Sequence, residues 1–216
     1  MDKYSILKQY YGHSAFRAGQ EALIDAILSG RDALCVMPTG GGKSLCYQIP
    51  ALLLPGITLV VSPLISLMKD QVATLKSAGV PAAYINSSLT SEQIRTVYAR
   101  TRKGAYKLIY VAPERLETNS FLSLMQEMDV SFLAVDEAHC ISQWGQDFRP
   151  SYLGIVDFIN ALPRRPIVAA YTATATKQVQ SDILRLLQLQ SPYRIVTGFD
   201  RPNLYFDVRR PKNKFS

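Results

Sequence analysis

The patterning of this chain predicts an α/β fold: a mainly parallel sheet of about seven strands with helices on both faces. Two observations lead there. Short apolar runs recur at Ala33–Val36, Ile57–Val61, Ala82–Ile85, Lys107–Val111, Phe132–Val135, Ile167–Tyr171 and Tyr193–Val196. Most are solidly apolar rather than alternating, as strands covered on both faces are. Helical patterns separate them, and strand–helix–strand repeated this often closes into a parallel sheet. Leu23, Ile24, Ile27 and Leu28 line one face of a helix that Gly30 can end. Thr90 and Gln93 have the spacing of a capping box, opening a helix that runs towards Arg102 with Gly104 beyond. Val179, Ile183, Leu186 and Leu187 follow helical spacing. Asp200–Asn203 is turn chemistry, Leu204–Val208 can form one more short strand, and Arg209, Arg210, Lys212 and Lys214 make a basic tail. We therefore read residues 1–203 as one domain and 204–216 as an exit segment.

Composition narrows the function. The 216 residues carry 24 Lys and Arg against 17 Asp and Glu, a net charge of +7 that favours a polyanionic partner such as nucleic acid. A hydrophobic fraction of 48% supports a buried core and speaks against wholesale disorder. No apolar run approaches the ~18 residues of a membrane helix. The segment Met1–Tyr4 has no apolar signal core. Three scattered cysteines, Cys35, Cys46 and Cys140, form no CxxC pair, so a disulfide framework and a zinc site are both disfavoured. A reducing, cytoplasmic setting is expected.

Three motifs carry chemistry. The first is Met37-Pro-Thr-Gly-Gly-Gly-Lys-Ser44, directly after an apolar run and before a helical pattern, as a phosphate-binding loop requires. Thr39, Gly40, Gly41 and Gly42 let backbone N–H groups converge on a phosphate, and the following helix N-terminus adds its dipole. Lys43 can reach the β- and γ-phosphates, and the Ser44 hydroxyl can ligate Mg²⁺. The strict pattern has glycine where this chain has Met37. The second motif is Asp136-Glu-Ala-His139, at a strand's C-terminal end, where open α/β sheets bind ligands. Asp136 suits the metal, and Glu137 can orient and deprotonate an attacking water. The third, Tyr171-Thr-Ala-Thr-Ala-Thr176, can link one site to another through Thr172 and Thr174, or can equally be a strand end followed by a helix cap.

The order phosphate loop, DEAH, TAT resembles superfamily 2 helicases. Phe16-Arg-Ala-Gly-Gln20 upstream and Cys140-Ile-Ser-Gln-Trp-Gly-Gln-Asp-Phe-Arg-Pro150 downstream sharpen the likeness to the RecQ family of ATP-dependent DNA helicases, specifically its first RecA-like P-loop domain. Val61–Gln71, Tyr110–Arg115 and Phe199–Asn203 also read like family segments. The resemblance implies an adenine-recognition segment within residues 1–30. There Gln20 would pair with the base edge, Arg17 would lie against the nucleotide, and His13 would stand where the family usually stacks an aromatic residue. His13 is otherwise a surface histidine. ATP and Mg²⁺ are the implied cofactors.

The same resemblance makes Trp144, Phe148 and Arg149 an aromatic-rich loop that senses unpaired DNA and, with His139, couples it to hydrolysis. Aromatic faces stack on bases without sequence preference. A lone tryptophan is otherwise a core residue, but polar neighbours suit a loop better. Ser62 and Pro63, within Ser62–Ser66, and Ala112–Glu114 resemble segments that grip the DNA backbone. Single-stranded DNA and duplex junctions are the implied substrates, with 3′-to-5′ movement and roles in repair and recombination. For a bacterial protein the setting would be the nucleoid. A second RecA-like domain of the same full-length chain is the implied partner. It would supply an arginine finger, a device worth about 10³–10⁵ in rate elsewhere. Because the chain ends at Ser216, we expect one half of a motor, with weak hydrolysis and no unwinding alone. An RNA helicase, a non-catalytic ATP-gated DNA-binding module and a small P-loop kinase are the competing readings. The aromatic loop argues against the first and third, and the intact Lys43, Ser44, Asp136 and Glu137 set argues against the second.

Overall fold

Seven strands, β1 (Ala33–Val36), β2 (Ile57–Val61), β3 (Ala82–Ile85), β4 (Leu108–Val111), β5 (Val130–Val135), β6 (Ile167–Thr172) and β7 (Tyr193–Val196), lie in the order β3-β4-β2-β5-β6-β1-β7. Every neighbouring pair is parallel. The computed structural model describes residues 1–197 and Asp207. The expected turn at Asp200–Asn203, the strand at Leu204–Val208, the basic tail and the exit segment lie, apart from Asp207, outside the described residues.

The solidly apolar runs become strands for the expected reason: alternate side chains enter two different cores. Leu34, Val36, Leu59, Val61, Leu133 and Val135 pack on one face. Ala33, Cys35, Val60, Phe132 and Ala134 pack on the other. The first face is covered by α5 (Ser91–Arg102), α7 (Asn119–Gln126), α8 (Gly154–Ala161) and α9 (Lys177–Leu186). The second is covered by α2 (Gln20–Leu28), α3 (Lys43–Leu53) and α4 (Ile65–Ser77). A third cluster, Ile6, Leu7, Ile24 and Ile49, seats α1 (Lys3–Tyr11) on α2 and α3. The short α6 (Pro113–Leu116) follows β4. Burying aliphatic side chains on both faces contributes roughly 1.5–3 kcal/mol each, the main force holding the layers.

The exception is β7, whose side chains alternate between half-buried and exposed. Among the described residues it sits at the sheet edge, paired only with β1, so the expectation of a strand covered on both faces does not hold there. The capping box is present as expected: Thr90 Oγ1 accepts from the Gln93 N–H, and Gln93 Oε1 accepts from the Thr90 N–H. The register aligns Val36 with Thr172, and Val135 with Ala170. The loops after β1, β6 and β5 therefore emerge side by side at one edge of the sheet, with that after β6 in the middle. Among the described residues no helix is long and apolar enough to cross a membrane.

Candidate nucleotide site and its coupling loop

The phosphate loop joins β1 to α3, and its conformation explains both its glycines and its departure from the strict pattern. Met37 is buried, donates its N–H to the Thr172 carbonyl at 3.0 Å and accepts from Lys43 Nζ at 2.9 Å. Its side chain lies where a Cβ on Gly41 would stand, 2.5 Å from Met37 Cγ. A Cβ at 41 would also meet the Pro38 carbonyl at 2.9 Å, so this position is tight on both its side-chain and backbone neighbours. The helix α3 starts at Lys43 with Gly42 as its N-cap and no side-chain cap bond, which leaves first-turn N–H groups free for an anion.

A cavity of about 440 Å³ opens at this edge. It is lined by Thr39, Gly40, Gly42, Lys43 and Ser44 from the loop, by Asp136 and Glu137 from the end of β5, and by His13, Arg17 and Gln20 from the N-terminal segment. Residues from three distant stretches meet here, joined by Ala15, Leu45 and by Leu67 from the Val61–Gln71 segment. His13 is exposed at the rim. Gln20 is held by contacts within the protein. It is 2% exposed; Nε2 donates to the Gly41 and Gly42 carbonyls (3.1 and 3.3 Å), and Oε1 accepts the Arg17 N–H (2.9 Å). Arg17 Nη1 donates to the Gly40 carbonyl. The two side chains brace the loop by donating to three of its consecutive carbonyls.

At the end of β5 the two carboxylates separate in environment. Asp136 is buried, and desolvation, then the neighbouring Glu137 charge, push its carboxyl up to about 6. Glu137 is held below the usual carboxylate range, first by its bond with His139. Glu137 has φ 47° and ψ 44°, a left-handed conformation that costs a non-glycine residue about 1–3 kcal/mol and clusters at functional sites. The turn is held by Tyr152, whose hydroxyl donates to the Asp136 carbonyl at 2.8 Å, and by the Cys140 N–H to the Glu137 carbonyl at 2.9 Å. Nothing in the sequence signalled the role of Tyr152.

His139 links this turn to β6. Its Nδ1 lies 2.9 Å from Thr172 Oγ1 and 3.3 Å from Glu137 Oε2. The Cys140 sulfur 3.9 Å from Nε2, together with Glu137, raises its value to about 10. Protonated, His139 donates to Thr172, whose hydroxyl donates onward to the Thr174 carbonyl at 3.0 Å. Thr176 caps α9, accepting from the Val179 N–H. Both readings of this stretch therefore hold: Thr172 bridges to the DEAH turn, and Thr176 caps a helix.

The loop after the DEAH turn projects outward. Trp144 is 74% exposed, so it is not a core residue; Phe148 is half-buried. Arg149 pairs with Asp147 and donates to the Pro63 carbonyl at 3.1 Å, tying the loop to the segment after β2. Within that segment Ser62 faces inward, 1% exposed, with its N–H on the Val111 carbonyl, while Ser66 is exposed.

Comparisons with known proteins agree with this geometry. Residues 17–182 match the DEAD/DEAH box helicase family. The chain is 50% identical over 211 residues to the ATP-dependent DNA helicase RecQ of Bacillus subtilis, covering 97% of this chain and 36% of that protein. It is 52% identical to its namesake from Haemophilus influenzae, covering 94% and 33%. It thus spans about a third of the length of these curated relatives. Among solved structures it superposes on the DUF1998 helicase MrfA bound to DNA and AMPPNP with a TM-score of 0.70 at 17% identity, covering 92% of this chain and 29% of that one. The Pyrococcus furiosus Hef helicase domain gives 0.64 at 21%, covering 83% and 38%. A parallel sheet with a glycine-rich loop and a DEAH turn at one edge, matched over residues 17–182, places the chain in the DEAD/DEAH box helicase family.

Proposed function

We propose that this chain is the ATP-binding motor domain of a RecQ-type DNA helicase, in which nucleotide hydrolysis drives movement on DNA. The observation that supports this most is the gathering of Lys43, Ser44, Asp136 and Glu137 around one cavity, with His139 and the exposed Trp144 loop leading away from it. In this reading Thr39 and the glycines at 40–42 wrap the phosphates, and Lys43 releases the Met37 carbonyl to neutralise the β- and γ-oxygens. Gln20 and Arg17 hold the loop's outer side, and His13 at the rim lies against the base.

A hydroxyl and two carboxylates at one end of the cavity are hard oxygen donors of the kind Mg²⁺ takes, and a carboxylate buried as deeply as Asp136 gains from a cation. Ser44 and Asp136 would hold that ion, which supplies charge neutralisation on the phosphates. Glu137, kept ionised by His139, accepts the proton of the attacking water and orients it. His139, Thr172 and Thr174 carry the state of the site to α9 and the aromatic loop, where Trp144, Phe148 and Arg149 meet unpaired DNA. Pro63 and the exposed residues after it contact the backbone.

Because the chain spans a third of its relatives, a second RecA-like domain across the cavity is part of the proposal. The test is ATP hydrolysis by the longer protein containing this chain, with single-stranded DNA, with RNA and with neither. DNA should stimulate more than RNA, and Glu137→Gln should keep ATP affinity while lowering turnover about 10²–10⁴-fold. Equal stimulation by RNA, or near-normal turnover in the variant, would overturn the reading.

A further inference from the structure

The aromatic loop is anchored from a direction that no motif suggests. Ser142, fully buried at the loop's first turn, donates its hydroxyl to Asp182 Oδ2 on α9 at 2.7 Å. Ser142 Oγ in turn accepts the Trp144 N–H at 3.2 Å. Asp182 is itself 7% exposed, and its other oxygen accepts from Arg185 at 3.0 Å. The loop is folded tightly above this contact: the Gly145 N–H donates to the Ser142 carbonyl, and a Cβ at Gly145 would stand 2.2 Å from the His139 carbonyl. A cavity of about 390 Å³ separates the loop from α9, with Trp144 and Phe148 on one wall and Asp182 and Arg185 on the other. Elsewhere the loop is held by Ile141, buried against Val179 and Ile183, and by Arg149 on the Pro63 carbonyl, so the Ser142–Asp182 contact is its side-chain hydrogen bond to α9.

We propose that Asp182 is a positioning residue for the aromatic loop: its carboxylate holds the Ser142 hydroxyl, that hydroxyl holds the Trp144 amide, and Trp144 is thereby aimed outward. The helix that carries Asp182 starts three residues after Thr174, at the far end of the His139–Thr172–Thr174 chain. A shift at the nucleotide site that moves α9 therefore moves the anchor of Trp144. A buried carboxylate is stable only when its hydrogen bonds are made, so the contact has two discrete states, made or broken, rather than a graded one.

Two measurements test this; the second rests on the helicase reading and the first does not. Trp144 is the chain's single tryptophan, so its fluorescence anisotropy reports the loop directly. Ser142→Ala and Asp182→Ala should each lower that anisotropy, and the double variant should lower it no further. Asp182→Asn, which keeps an acceptor oxygen, and Arg185→Ala, which keeps the latch, should stay near wild type. Ser142→Ala deletes one oxygen from a buried site and keeps the test alive should Asp182→Ala unfold. In the longer protein the two latch variants should raise the DNA concentration for half-maximal ATPase about tenfold, with DNA-independent rate and ATP KM unchanged. Unchanged anisotropy in Ser142→Ala, additive losses in the double variant, or a loss in Arg185→Ala equal to that in Asp182→Ala would overturn the proposal. If the wild type shows no DNA stimulation while the latch variants lower the anisotropy, the helicase reading fails and the latch stands.

Discussion

His139 shows how one side chain serves two loops. Glu137 and the Cys140 sulfur favour its charged form, and that form can donate from Nδ1 to Thr172. A histidine whose value rises on folding stabilises most below its unfolded value near 6.5, and the contribution is lost as pH climbs through the folded value of about 10. Replacing it with glutamine, neutral at every pH, isolates that contribution. The gap in urea midpoint between wild type and His139→Gln should be widest below pH 6.5 and close as pH approaches 10; a gap that is flat across this range would contradict a protonated bridge. Asp136 moves the opposite way from its neighbour, since burial penalises its charge while His139 protects that of Glu137. Two adjacent carboxylates thus acquire different proton affinities from their surroundings alone.

At the scale of elements, the sheet is pinned at both ends. Asp32, buried just before β1, accepts from Arg165 on both oxygens, from the Val168 N–H at 2.9 Å and from the Gln190 N–H at 2.7 Å. It ties the start of β6 and the approach to β7 to β1, at the end of the sheet away from the cavity. Asp32→Ala leaves the buried Val168 N–H, the Gln190 N–H and one side of Arg165 short of a partner and should cost about 2–4 kcal/mol in urea unfolding, with nucleotide affinity intact; a loss below ~1 kcal/mol would contradict this. The strands, α5, α9 and the phosphate loop were legible because their signals are local: solid apolar runs, a capping box, glycines at a strand–helix junction. The helix α4 was missed as an element although Met68, Val72 and Leu75 form its buried face, because its N-terminus has no side-chain cap. Arg149–Pro63, Ser142–Asp182 and Arg165–Asp32 join residues 86, 40 and 133 apart, and no local pattern announces such pairs. Gln20 was found as a site residue, but its use on the loop carbonyls depends on a fold in which α2 packs beside α3.

At the scale of the molecule, the account is a relay built on strand order. With β6 lying between β5 and β1, Thr172 touches both the DEAH turn and the phosphate loop: its hydroxyl meets His139 and its carbonyl holds Met37. The exposed Trp144 loop lies beyond that relay, where the proposed function has unpaired DNA bind. All of this presumes that the cavity takes a nucleotide. Calorimetric titration of this chain with ATP and Mg²⁺, for wild type and Lys43→Ala, addresses that directly. The account predicts saturable binding to the wild type and none detectable to the variant, at equal thermal stability. Equal affinity in the two proteins would contradict it.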